Sequence, residues 1–196
     1  KLGGLFVSSR NGYRIIFNIM NFLFWAHLVV TGIALICTTG LLIDPSILKE
    51  AKESPNFHYS ISDGVLGINL NNYVPDVQIL QFLMVCAVVV MIFVAIILWN
   101  FRVLFKNTSK GDLFVSSNTK SIFCIGIILL IQSFASGFPK VYIATKITPF
   151  VHIADGSFKI SYSVNGILLV AAIFILFLGV FFKKAVEIAQ ENELTI

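Results

Sequence analysis

The stretch VQILQFLMVCAVVVMIFVAIILWNFRVLF, residues 77–105, decides the fold. Its first 25 residues carry no charge, and Arg102 is the first ionised side chain met along it. As a helix those residues extend ~37 Å at about 1.5 Å per residue, which exceeds the roughly 30 Å hydrocarbon layer of a bilayer. An apolar run of this length is the signature of a transmembrane helix. Arg102 stands near its end, where a long stem can snorkel to the interface.

Three further runs lie at residues 15–42, 121–138 and 162–182, and none has an acidic residue or lysine in its central part. The 196-residue chain is 57% hydrophobic and 12% charged, against about 25% charged in ordinary soluble domains. The expected fold is therefore all-α: a single four-span membrane domain over residues 1–196. Its outer loops are 43–76 and 139–161, its elbow is 106–120 and its tail is 183–196, with Pro139 closing the third span. The chain opens on Lys1, so its start is read as processed or truncated. A secretory leader is a poor account of 15–42, because its apolar core would be about 7–15 residues.

Basic residues set the orientation. Lys1, Arg10, Arg14, Arg102, Lys106, Lys110, Lys120, Lys183 and Lys184 fall on one side, and Lys49, Lys52, Lys140, Lys146 and Lys159 on the other. By the positive-inside rule both termini are cytoplasmic. The net charge of +4 then reflects topology and contact with anionic lipid, and nucleic acid is not a partner.

Two echoes suggest a repeat. LFVSS occurs at 5–9 and again at 113–117, each before an apolar run. Outside, FHYSISDGVLGINL (57–70) and FVHIADGSFKISYS (150–163) both read as alternating strand, tight turn, alternating strand, turning at Asp63-Gly64 and Asp155-Gly156. The order motif, helix, hairpin, helix thus occurs twice. It favours a parallel two-plus-two repeat with two extracytoplasmic β-hairpins that would pair into a small sheet. The alternative is four unrelated helices.

Few side chains could carry chemistry. His27 is the titratable residue deepest in a span. It shares a helix face with Thr31 and Thr38, while Asn18, Asn21 and Gly32 take the opposite face. An intramembrane histidine raises a proton relay, a haem or metal ligand, or a quinone contact. An interhelical hydrogen bond to Gln132 or Ser133 is the stronger reading, since neither a second deep histidine nor a buried carboxylate accompanies it. Asn100 and Asn165 read as interfacial, Trp99 as an interfacial anchor and Trp25 as packed between helices. Gly126, Ser133 and Gly137 read as small residues for close helix approach.

The elbow KNTSKGDLFVSSNTK (106–120) is the most distinctive segment. Gly111 can supply a positive-φ turn, Asp112 and Ser116 can cap a helix, and Leu113 and Phe114 offer an apolar patch at the membrane face. Together with Asn118 these residues make the candidate partner-binding surface. In the tail, Lys183 and Glu187 are spaced as an i,i+4 pair. No nucleophile, metal-ligand or phosphate-loop spacing occurs; Cys37, Cys86 and Cys124 stand singly in apolar surroundings, and His58 and His152 lack a third ligand. The expectation is a protein that is not an enzyme and takes no cofactor.

The segment FRVLFKNTSKGDLFVSSNTKSIFCIGIILL (101–130) and the ending QENELTI (190–196) resemble the bacterial membrane family catalogued as domain of unknown function 2975. Gly111, Phe114, Asn118 and Gly126 stand at the telling positions. Val115, where the family usually has Ser, and Ser121-Ile122, where it often has Leu-Arg, are departures. The resemblance implies a four-span bacterial inner-membrane protein and, because relatives are often encoded beside small helix-turn-helix regulators, a signalling or regulatory role. It implies no reaction. The expected function is a non-enzymatic adaptor, sensor or accessory subunit whose partners are the lipid bilayer and a protein of a membrane complex, or a homo-oligomer. The alternative is a small transporter or channel with a polar path along His27, Thr31 and Thr38.

Overall fold

The computed structural model describes residues 2–46, 59–62, 67–70, 76–150 and 160–193. Its elements are α1 (Leu2–Ile43), β1 (Tyr59–Ser62), β2 (Gly67–Leu70), α2 (Val77–Lys110), α3 (Ser116–Ala135), α4 (Gly137–Ile147), a 3-10 turn at Thr148–Phe150 and α5 (Gly166–Glu193). The chain divides into two compact units, one of Lys1–Val29 with Val90–Ile196 and one of Val30–Val89.

In the larger unit α3 lies against α5. Ile125, Ile128, Ala172 and Val186 are buried. The helices approach closely at glycines. A Cβ on Gly126 would stand 2.7 Å from the Leu176 side chain, and one on Gly179 would stand 3.2 Å from the Phe123 ring. In lipid no water is expelled when apolar helices meet, so close van der Waals packing at small residues drives such pairing.

Helix α2 stops at Gly111, whose φ of +98° suits a residue without a Cβ. The Gly111 N–H donates to the Thr108 carbonyl at 3.1 Å and the Asp112 N–H to the Asn107 carbonyl at 3.0 Å. These two bonds form a Schellman stop, which satisfies carbonyls the helix would leave open.

Pro139 does not close the third span. It stands in the first turn of α4, and the break comes just before it, at Ser136. Lacking an N–H, Pro139 cannot donate to the Ala135 carbonyl, so the ladder of α3 ends there while helical backbone resumes one residue on. The apolar, helix-rich segment therefore runs from Ser116 to Lys146.

The expected pair of hairpins making one sheet is not supported. The described residues hold a single two-stranded antiparallel ladder in the smaller unit, with Tyr59 opposite Leu70 and Ser62 opposite Gly67. Residues 63–66, between the strands, lie outside the described residues, Asp63 and Gly64 among them, as do Asp155 and Gly156. Residues 160–165 form no strand, because they are tied to helix ends instead. The Tyr162 hydroxyl donates to the Phe134 carbonyl, and the Asn165 N–H donates to the Ser133 carbonyl at 3.0 Å. The Asn165 side chain then caps α5 by accepting from the Leu168 N–H at 3.1 Å.

The two LFVSS copies also differ. Residues 5–9 lie inside α1, whereas 113–117 straddle the non-helical elbow and the start of α3. In the smaller unit Ile79 and Val88 are buried, and Gln81 Nε2 donates to the Leu41 carbonyl at 2.9 Å.

Candidate functional site

The elbow between α2 and α3 is built around Asn118, which is 1% exposed. Its amide nitrogen donates to the carbonyls of Asp112 (3.1 Å) and Leu113 (2.9 Å), and its amide oxygen accepts from Asn107 Nδ2 at 2.8 Å. Asn107 Nδ2 also reaches Ser117 Oγ at 2.8 Å. One asparagine thus satisfies the turn's two open carbonyls and is itself fully bonded, which fixes the turn in one conformation. Asp112 and Ser116 were expected to cap; the N-cap position of α3 is instead Val115, and no side chain caps it. The rigid turn presents Leu113 and Phe114, both exposed, with the Phe114 ring 5.7 Å from that of Phe182.

The polar side chains inside the spans are hydrogen-bonded, some between helices and some to the backbone of their own helix. His27 Nε2 lies 2.9 Å from the Met91 carbonyl of α2; a carbonyl only accepts, so Nε2 carries the hydrogen. Gln132 and Ser133 of α3 were the anticipated partners; the bond to Met91 places a contact of His27 on α2. Ser133 is fully buried, with its hydroxyl donating to the Leu130 carbonyl at 2.7 Å, and Gln132 is half-buried. Thr31 and Thr38 are buried in the smaller unit. Asn100, expected at an interface, is only 8% exposed and donates from Nδ2 to the Ile96 carbonyl (2.8 Å) and to Cys124 Sγ (3.3 Å). At the end of α1, Ser46 holds the Asp44 carboxyl below its usual range through hydrogen bonds from its side chain and its backbone N–H. Lys184, not Lys183, reaches Glu187, at 3.4 Å.

A second constellation joins α1 and α2. Arg102 Nε donates to Asn21 Oδ1 at 2.7 Å. Its guanidinium carbon stands 5.0 Å from the ring centre of Trp99, 5.7 Å from Phe24 and 6.0 Å from Trp25. The Phe24 ring is buried and centred 5.4 Å from both tryptophans. Trp25, expected between helices, is 52% exposed, and Trp99 47%. The signal in the sequence was spacing: Asn21, Phe24 and Trp25 share one face of α1, and Trp99 and Arg102 one face of α2. An apolar groove of about 380 Å³ opens elsewhere in the same unit, between Phe101 and Leu104 of α2, Ile122 and Ile125 of α3, and Leu178 and Phe182 of α5.

Four helical segments are long and apolar enough to cross a membrane: Gly12–Ile43, Val77–Lys110, Ser116–Lys146 and Gly166–Asn192. The outward-facing side chains of α1 and α5 are large and apolar, Phe22, Val29, Ile167 and Phe174 among them, as lipid contact requires. This is a multi-pass membrane protein. Its family follows from the chain as a whole: residues 15–196 match the family model DUF2975, described as protein of unknown function, and the chain belongs to that family. Neither curated proteins nor solved structures provide a match.

Proposed function

We propose that this protein is a non-enzymatic adaptor or accessory subunit of a membrane complex, set in a bacterial inner membrane with both termini cytoplasmic. The excess of basic residues before α1, in the elbow and after α5 supports that orientation. The observation that carries the functional reading is the elbow. A turn locked by Asn107 and Asn118 holds two exposed apolar side chains, Leu113 and Phe114, at the end of a span. Rigid display of apolar side chains lowers the ordering cost of binding a partner. The intramembrane polar groups His27, Asn100 and Ser133 support the same reading, since each bonds a backbone carbonyl.

Gentle extraction of the native protein, followed by sizing and mass spectrometry, tests this. The expected result is a stoichiometric protein partner, lost when Leu113→Ser and Phe114→Ser are combined. Recovery of the wild-type chain alone, or a partner indifferent to both substitutions, would refute the elbow as the docking element.

A further inference from the structure

The constellation at Arg102 is not needed for the adaptor reading and is not explained by it. Arg102 is a permanent cation. Among the described residues its side chain has one hydrogen-bond partner, the neutral Asn21, and no carboxylate. Its Nε is committed to Asn21, and its faces are covered by aromatic rings. The guanidinium is therefore held in one orientation with its Nη hydrogens uncommitted among the described residues. A cation fixed near apolar surroundings with no counter-charge is costly, and an anion that neutralises it is bound correspondingly well.

Position narrows the ligand. Counted from Val77, Arg102 stands ~38 Å along α2, beyond the roughly 30 Å hydrocarbon layer and at the level of lipid headgroups. Tryptophan prefers that level, and its indole N–H is a donor. Two more cations lie on the facing helix surfaces. Lys106 is one turn beyond Arg102 on α2, and Arg14 is two turns before Asn21 on α1. A planar guanidinium fork is the natural partner of a phosphate oxyanion.

We infer that Arg102, oriented by Asn21 and flanked by Phe24, Trp25 and Trp99, is a binding seat for a phosphate oxyanion. The headgroup of an anionic phospholipid and a soluble phosphate ester share that chemistry, and the experiment separates them.

Trp25 and Trp99 are the 2 tryptophans of the chain, so intrinsic fluorescence reads this seat alone. The full chain is placed in phosphatidylcholine nanodiscs carrying increasing brominated phosphatidylglycerol, and in parallel brominated phosphatidylcholine. The expected result is a preference for quenching by phosphatidylglycerol of about fivefold, the size of one well-placed basic residue at a membrane surface. Arg102→Gln should abolish that preference. Arg102→Lys, which keeps the charge and loses the fork, should lower it. Asn21→Leu should lower it with every charge intact, and this variant guards against a folding defect specific to Arg102. Lys183→Gln, elsewhere on the basic side, should leave it unchanged. In discs of phosphatidylcholine alone, a saturable emission shift on adding inorganic phosphate, absent in Arg102→Gln, would assign the seat to a soluble phosphate. Equal quenching by both lipids together with no response to inorganic phosphate overturns the inference. So does a preference that survives Arg102→Gln, or one lost equally in Lys183→Gln.

Discussion

Within the larger unit, α5 and α1 are held by opposite means. Helix α5 lies on α3 through glycines and buried apolar side chains, at Gly126 against Leu176 and Gly179 against Phe123. Helix α1 meets α2 through individual polar and aromatic links, at His27 with Met91, Asn21 with Arg102 and Phe24 with Trp99. Where the exclusion of water contributes nothing, packing is collective and unforgiving, whereas single hydrogen bonds contribute little each, because a helix displaced in the membrane finds other partners. The difference predicts that α3 with α5 is the stable frame and that the α1 segment of this unit is the more adjustable element.

Substitutions can break that contrast, and the largest effect is expected where α4 follows α3 and meets the segment that leads into α5. A Cβ at Gly137 would lie 2.6 Å from the Ser163 backbone oxygen, which has no flexible end to move aside. Gly137→Ala should therefore cost about 3 kcal/mol, measured by denaturant titration in mixed micelles. Gly12→Ala, with nothing within 4 Å of the new Cβ, is the matched control; equal effects at the two glycines would remove the contrast. Next comes the elbow. Asn118→Ala leaves the Asp112 and Leu113 carbonyls without their partner and Asn107 with Ser117 alone, at an expected cost of about 2–3 kcal/mol in the same assay. His27→Phe deletes one link of α1 and should cost only about 0.6–1.7 kcal/mol. A loss as large as that of Gly137→Ala would make α1 part of the frame. The smallest effect is Lys184→Ala, whose exposed pair with Glu187 should contribute below about 0.5 kcal/mol, with the sign visible only at low salt.

Legibility followed the same division. The spans could be read because an uncharged run such as 77–101 admits one environment, and α2 begins at Val77 as that run does. The positive-φ turn at Gly111 was legible for a similarly local reason, since positive φ favours a glycine, but α2 runs on to Lys110, through residues expected in the elbow. What could not be read depended on which helix meets which. The bond of His27 to α2 is one such contact, since the side chains that marked themselves as polar partners were Gln132 and Ser133. A backbone carbonyl, which every residue of α2 carries, has no mark in the sequence. Arg102 was read as a snorkelling side chain because Asn21 and Trp25 become its neighbours only once α1 and α2 are paired. LFVSS is the sharpest case. Five identical residues are helical at 5–9 and partly non-helical at 113–117; both follow glycine, but the second copy leads into Asn118 where the first leads into Arg10.

The Asn107–Asn118 link has a consequence for biogenesis. Its partners are 11 residues apart, so little loop-closure entropy opposes it, and it can form soon after residue 118 leaves the ribosome. The bond of Asn165 to Ser133, which seats α5, must await a later stretch of chain. The expected order of synthesis is then an α2–α3 hairpin locked at its turn first, with α5 joining it last. Paired cysteines at 107 and 118 in ribosome-arrested chains should cross-link at lengths near 160 residues; cross-linking only after α5 has emerged would reverse this order of assembly.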